Sequence, residues 1–146
     1  MPHLTLQISA GGPVLELYVG VSNPRSDALK AAGQPVPPPV MVRGLLDTGA
    51  SCTGVDPAVL TGLGIASTGT TPLHTPSTTL STPHIARQFD VSIILVHPLI
   101  NRTFMAIPVI ESQLAHQGIQ MLIGRDILNQ CLFTYDGTAQ SFCLAI

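Results

Sequence analysis

Apolar and polar residues alternate along several short stretches of the chain, with the two-residue period of a strand that has one buried face. Residues 4–8 (Leu-Thr-Leu-Gln-Ile) show the pattern most clearly. Gly11-Gly12-Pro13 predicts a turn, and residues 14–21 predict a returning strand, so the two stretches together predict an N-terminal hairpin. Residues 40–46 predict a further strand, which leads directly into Asp47.

The second half of the chain continues this alternation. Residues 68–85 are rich in Thr, Ser and Pro with apolar residues between them, and they predict a long, exposed hairpin. Further strands are expected at 89–95, 103–110, 119–123, 132–135 and 141–144, the last two forming a closing hairpin around Asp136-Gly137.

Helix signals are few. Asp56-Pro57 is an N-cap followed by proline at the first helical position, and it predicts a short helix that ends at Gly64. A helical turn is expected from Gly124 to about Gln130. Residues 23–39 end in a proline-rich run, which predicts a surface insertion or connector. The fold class is therefore all-β with one or two short helices, in a single domain over residues 1–146.

Composition supports a folded chain and excludes some partners. Hydrophobic residues make up 45% and charged residues 10% of the sequence, far from the composition of disordered proteins. The six Lys and Arg residues are scattered, so no nucleic-acid-binding patch is expected. No apolar run approaches the roughly 20 residues that span a bilayer, so no membrane association is expected.

Cysteine and histidine patterns give no sign of a metal site or disulfide framework. The three cysteines are an odd number and form no CxxC pair, and the five histidines are dispersed. Free thiols are typical of a reducing compartment, and the N-terminus lacks the pattern of a signal peptide. We therefore expect a cytoplasmic protein without metal or cofactor.

The chemistry of the chain centres on Asp47-Thr48-Gly49, which follows the apolar pair Leu45-Leu46. A carboxylate beside an apolar strand is costly to bury unless hydrogen bonds compensate. Thr48 offers a hydroxyl, and Gly49 lets its backbone amide come close because it has no side chain. The triplet alone is also compatible with an ordinary turn after a strand.

A second motif, Ile123-Gly124-Arg125-Asp126, is an apolar strand end followed by a charged helix start. In this order, the two motifs resemble those of the retropepsins, the retroviral and retroviral-like aspartic proteases. Asp47, Thr48 and Gly49 match the family's catalytic loop. Gly124, Arg125 and Asp126 match the structural motif that opens its C-terminal helix. The resemblance covers residues 4–146 and implies a closed β-sheet fold.

The resemblance also implies a mechanism. One chain carries one Asp-Thr-Gly, and a single carboxylate cannot act as acid and base at once. A two-fold homodimer would supply Asp47 from each subunit, and the pair would activate a water to hydrolyse a peptide bond of an extended peptide or protein substrate. Thr48 would form hydrogen bonds across the dimer axis. Gly49, Ala50 and Ser51 would contact substrate.

In this reading, the hairpin of residues 68–85 is the flap that closes over the substrate, with its tip near His74 to Thr79. Thr75, Pro76, Ser77 and Thr78 would contact the substrate there. The tip has no glycine, unlike retroviral flaps. Ser51 replaces the aspartate that pairs with the matching arginine in retroviral members, so Arg125 either finds another partner or bonds Ser51 and backbone carbonyls instead. Residues 23–39 have no matching retroviral segment.

Two other interpretations are compatible with parts of the sequence. Gly49-Ala50-Ser51-Cys52-Thr53 nearly matches a serine nucleophile elbow, but its last residue is Thr and the alternating helices of an α/β-hydrolase are missing. The second alternative is a non-catalytic retropepsin-like module for dimerisation or peptide binding. Peptide cleavage that Asp47→Asn abolishes would distinguish an aspartic endopeptidase from such a module.

Overall fold

A computed structural model describes residues 1–75 and 82–146. In these residues the chain is mostly β, as the sequence predicted, and it forms ten strands and a few short helices. The strands are β1 (His3–Gln7), β2 (Val14–Val21), β3 (Val40–Leu46), β4 (Gly54–Val55), β5 (Gly69–Leu73), β6 (His84–His97), β7 (Ile100–Glu111), β8 (Met121–Ile123), β9 (Leu132–Asp136) and β10 (Ser141–Ala145). The helices are α1 (Asn23–Ala31), α2 (Pro57–Gly62) and α3 (Arg125–Leu128), with a 3₁₀ turn at Ala115–Gln117.

Seven strands form one sheet that closes into a barrel. Their order is β2-β3-β8-β4-β7-β6-β5, and an additional pairing between β2 and β6 closes the ring. The long strand β6 makes this possible because its first residues pair with β5 and residues 91–94 pair with β2. The barrel encloses an apolar core whose fully buried valines are Val19, Val42, Val55, Val91 and Val109.

The remaining strands form a second sheet in the order β1-β10-β9. The predicted N-terminal hairpin is therefore wrong, although both of its strands exist. An isolated bridge between Ser9 and Gly12 turns the chain, and β1 then pairs with β10 instead of β2. In this register Leu4 lies opposite Leu144, and both are buried. Strand periodicity shows which face is buried but not which strand is the partner.

Most other predicted elements are confirmed. The strand before Asp47, the β6–β7 pair, the closing β9–β10 hairpin and the helix capped by Asp56 are all present. Strands β5 and β6 pair as the base of the predicted hairpin. None of the helices in the described residues is long and apolar enough to span a membrane.

Helix α1 was not predicted from the sequence. It occupies the first part of the segment expected to be an insertion or connector, and residues 32–39 after it have no regular structure. Ser22 caps the helix by accepting a hydrogen bond from the backbone N–H of Arg25, and Pro24 lies in its first turn. None of its residues is buried, so the sequence carries no apolar stripe by which it could be recognised.

A buried carboxylate ties α2 to the segment after β7. Asp56 is only 4% exposed, and its two oxygens accept hydrogen bonds from the backbone N–H groups of Ala58, Leu114 and Ala115 at 2.9–3.0 Å. Burial by itself would raise the pKa of Asp56, but these three donors, together with the nearby His116, outweigh it and lower the pKa below its ordinary value. The fold is therefore stabilised by the charged form of Asp56.

We predict that Asp56→Asn lowers the free energy of unfolding by about 1–3 kcal/mol at neutral pH, since the amide offers only one acceptor oxygen. Because the folded-state pKa is lowered, the stabilisation is complete above the unfolded pKa of about 3.9 and is lost as the pH falls through the folded value. Urea unfolding of both proteins from neutral to acidic pH checks this. If the two proteins differ in free energy of unfolding by the same amount down to the lowest pH, the charged form of Asp56 does not stabilise the fold.

Candidate active site

Two parallel strands of the barrel position the Asp47 loop. Strand β3 runs beside β8 with Leu46 opposite Ile123, and the backbone N–H of Asp47 donates to the Ile123 carbonyl at 3.0 Å. The chain then turns, and the N–H of Ala50 donates to the Asp47 carbonyl at 3.2 Å. Both flanking residues, Leu46 and Ile123, are buried. Asp47 is half-buried, and it follows directly after the buried, apolar end of β3.

The loop itself holds the Asp47 carboxylate. The backbone N–H of Gly49 donates to Oδ1 of Asp47 at 2.9 Å. A Cβ atom on Gly49 would come within 3.1 Å of the same oxygen, so glycine permits this close approach. In the described part of the chain, Asp47 Oδ2 and the exposed Thr48 hydroxyl have no hydrogen-bond partner. Both groups are therefore available for hydrogen bonds to a ligand.

A cleft of about 380 Å³ opens beside this carboxylate. The size is that of a site for a substantial ligand. It lies between the Asp47 loop, the end of β5 and the barrel strands. Of the described residues that line it, only Asp47 and His74 are acidic or basic. The lining residues are Asp47, Gly49, Ala50, Ser51, Cys52, Gly54, Leu73, His74, Thr75, Ile110, Ser112 and Leu122.

A buried threonine fastens the loop to α3. Thr53 is fully buried; its hydroxyl donates to Oδ1 of Asp126 at 2.7 Å and accepts from the N–H of Gly124 at 3.2 Å. The backbone N–H of Thr53 donates to the other oxygen of Asp126 at 2.9 Å. We call this network the Thr53–Asp126–Gly124 lock. It joins the segment that follows the Asp47 motif to the second motif, Ile123-Gly124-Arg125-Asp126.

Gly124 and Arg125 complete the connection. A Cβ atom on Gly124 would lie 2.6 Å from the backbone carbonyl of Cys52, so only glycine fits where the two segments cross. The N–H of Arg125 donates to the Ala50 carbonyl at 2.9 Å, and its guanidinium donates to the Thr48 carbonyl at 2.8 Å. The guanidinium of Arg125 thus bonds a backbone carbonyl, which is part of the second alternative; among the described residues it forms no hydrogen bond with Ser51.

Cys52 lines the cleft, but it has the properties of an unreactive thiol. Burial is the main reason that the pKa of Cys52 is raised, and the nearby Asp126 raises it further, while a hydrogen bond with Ser51 partly opposes them. A protonated thiol is a poor nucleophile. Among residues 1–75 and 82–146, no group of three His, Cys, Asp or Glu side chains could hold a metal ion.

The structure brings most of the predicted site residues together. Ala50, Ser51 and Thr75 line the same cleft as Asp47 and Gly49, while Thr48 lies beside it. The predicted tip residues Pro76, Ser77 and Thr78 lie outside the described residues. Sequence reasoning missed Thr53 and a set of cleft residues, because distant strands bring them together and no local pattern marks them. The missed lining residues are Gly54, Leu73, Ile110, Ser112 and Leu122.

We predict that Thr53→Val lowers the free energy of unfolding by about 1–3 kcal/mol, because it leaves the Gly124 N–H and an Asp126 oxygen with fewer partners. Thr53→Ser keeps the hydroxyl and should cost less. Thr103→Val, at an exposed position of β7, is the matched control and should leave stability nearly unchanged. Urea unfolding measures all three, and equal effects of the Val and Ser variants at position 53 would contradict the lock.

Comparison with known proteins supports the fold. No protein-family model and no curated protein matches the chain. Among solved structures, it is similar to a retropepsin-like aspartic protease from Rickettsia conorii, with a TM-score of 0.58 and 14% identity over 97% of this chain and 89% of that one. The retroviral protease-like domain of Ddi1 from Leishmania major gives a TM-score of 0.44 and 16% identity over 92% and 88%. The similarity to the Rickettsia protein, with the barrel and the Asp47 loop, gives the chain a retropepsin-like fold.

Proposed function

We propose that the chain is an aspartic endopeptidase that acts as a homodimer, with Asp47 of each subunit forming the catalytic pair. The observation that carries the proposal is the Asp47 carboxylate in its cleft. One oxygen is fixed by the Gly49 N–H at 2.9 Å, and the other has no partner in the described part of the subunit. The retropepsin-like fold supports the same reading.

Peptide hydrolysis by this route needs a second carboxylate, because one acts as base and the other as acid. Two carboxylates that face each other closely cannot both ionise, so the pair shares one proton. The ionised carboxylate takes a proton from a water, which attacks the carbonyl carbon of the peptide bond. The protonated carboxylate donates its proton to the carbonyl oxygen. When the tetrahedral intermediate collapses, a proton passes to the leaving amine and the C–N bond breaks.

Thr48 would hold the two loops together at the dimer axis. Its side chain is exposed, and its hydroxyl has no partner in the described residues of its own subunit. Its carbonyl is already engaged by the Arg125 guanidinium at 2.8 Å, which fixes the backbone of the residue. A hydroxyl presented in this way can form hydrogen bonds with the partner's loop without further rearrangement.

The cleft favours an extended substrate with uncharged side chains. Leu73, Ile110 and Leu122 give it apolar walls, and Ser51 stands where retroviral relatives carry an aspartate. Strand β5 leads into the cleft and pairs only with β6 among the described strands, so its outer edge is available to an extended peptide. We expect cleavage between aliphatic or aromatic residues.

We predict that wild-type protein cleaves a diverse peptide library at roughly pH 4 to 7, and that Asp47→Asn abolishes cleavage by removing the ionisable pair. Asparagine can still accept the Gly49 hydrogen bond, so the fold should persist. Asp27→Asn, an exposed position on α1, is the matched control and should keep full activity. Mass spectrometry of the products measures cleavage and reports the residues on each side of the cut.

The same experiment separates the alternative function. Folded, dimeric wild-type protein that cleaves no peptide would favour a non-catalytic module for dimerisation or peptide binding. Cleavage that survives in Asp47→Asn would show that another group, or a contaminating protease, carries the activity.

A further inference from the structure

Acidic and basic groups are divided between two sides of the Asp47 cleft. Among the described residues that line it, Asp47 is the only acidic one, and it belongs to the loop after β3. The hairpin of residues 68–85 contains no acidic residue, and its two ionisable side chains are His74 and His84. His74 lines the cleft, whereas His84 is not among the lining residues. The hairpin therefore brings one basic side chain to the cleft.

His74 follows directly after β5, at the point where this strand reaches the cleft. Antiparallel pairing with β6 holds the strand, and its last residue, Leu73, lies opposite His84. His74 itself is exposed, and its neighbours Leu73 and Thr75 line the same cleft. An exposed side chain at the end of a paired strand can contact a bound peptide without displacing any part of the core.

Other ionisable groups near the cleft are neutral or compensated. Arg125 and Asp126 are adjacent and opposite in charge, so their effects on a ligand largely cancel. Arg87 and Glu111 form an ion pair with each other. Burial raises the pKa of the Cys52 thiol, which therefore stays protonated. In the described part of each subunit, one acidic and one basic side chain remain to act on a ligand.

In the proposed dimer these two charges do not balance at acidic pH. The two copies of Asp47 share a proton and together carry about one negative charge. Histidine is the side chain that gains a positive charge as the pH falls below neutral, and two-fold symmetry supplies two copies of His74. The assembled cleft is then net positive. It attracts a carboxylate on a bound peptide and repels an ammonium or guanidinium group.

We propose that His74 is a specificity-determining residue that selects peptides with an acidic side chain close to the cut bond. An extended peptide advances about 3.3 Å per residue, so a cleft of about 380 Å³ accommodates roughly two or three of its residues in each subunit. The apolar walls take uncharged residues at the cut bond itself, and His74 binds Asp or Glu up to three residues away on either side. This inference rests on the proposed function, because it assigns a specificity to the same cleft.

Peptide pairs that differ only in charge test the role of His74. Each peptide has a central Leu-Phe bond and carries either Glu or Gln at one of the three positions on each side of that bond. At about pH 5.5, wild type should cleave the best Glu peptide with a kcat/KM about tenfold higher than that of its Gln counterpart, the size of a charge-assisted hydrogen bond. The preference should shrink toward about pH 7.5, where histidine loses its charge.

Three variants separate the charge of His74 from other properties of the cleft. His74→Gln should bring the Glu-to-Gln ratio of kcat/KM close to one, because glutamine can donate a hydrogen bond but carries no charge. His74→Lys should restore the ratio and keep it at about pH 7.5, since lysine stays charged there. His3→Gln, at an exposed position of β1 outside the cleft, is the matched control and should leave the ratio unchanged.

The outcomes distinguish this inference from the proposed function. A wild type that cleaves both peptides of every pair equally well would overturn the role of His74 and leave the protease standing. So would a preference for Glu that survives in His74→Gln. A folded protein that cleaves no peptide contradicts the proposed function, and fluorescence anisotropy of labelled pairs then tests the cleft. Tighter binding of Glu peptides by wild type than by His74→Gln supports the inference, and equal affinity or no binding overturns it.

Discussion

The hydroxyl of Thr53 lies where the Asp47 loop, strand β8 and helix α3 meet, and the geometry of the site depends on its hydrogen bonds. It donates to Asp126 and accepts from the N–H of Gly124 in the interior of the protein. An unpaired polar group at such a place would be costly, so the three groups require one another. Because Gly124 packs directly on the Cys52 backbone, this lock also fixes how closely the loop and the helix approach.

Backbone N–H groups hold two carboxylates of this fold, those of Asp47 and Asp56. Gly49 fixes Asp47, and three N–H groups hold Asp56, whose lowered pKa keeps it charged to lower pH than an ordinary aspartate. For an enzyme of the proposed kind, that property is useful, because the shared proton of the catalytic pair favours acidic conditions. A carboxylate that accepts backbone hydrogen bonds thus stabilises the fold at Asp56 and, in our proposal, catalyses hydrolysis at Asp47.

Much of the fold could be predicted from local patterns. Alternating residues located most strands, and Asp56-Pro57 located α2 because a cap is a local signal. The partner of β1 could not be predicted, since pairing is decided by burial between distant segments. Helix α1 escaped because it has no buried face. At the site, the two motifs indicated Asp47 and Arg125, whereas Thr53 and the cleft walls depend on barrel closure.

The central claim is that one active site is built from two copies of Asp47, and subunit mixing tests it most directly. Wild type and Asp47→Asn would be mixed at constant total concentration, allowed to exchange subunits, and assayed for peptide cleavage. If both carboxylates are required, mixed dimers are inactive and an equal mixture retains about a quarter of the wild-type activity, because activity follows the square of the wild-type fraction. An equal mixture that retains about half, with activity linear in that fraction, would show that each chain acts alone and would contradict the account.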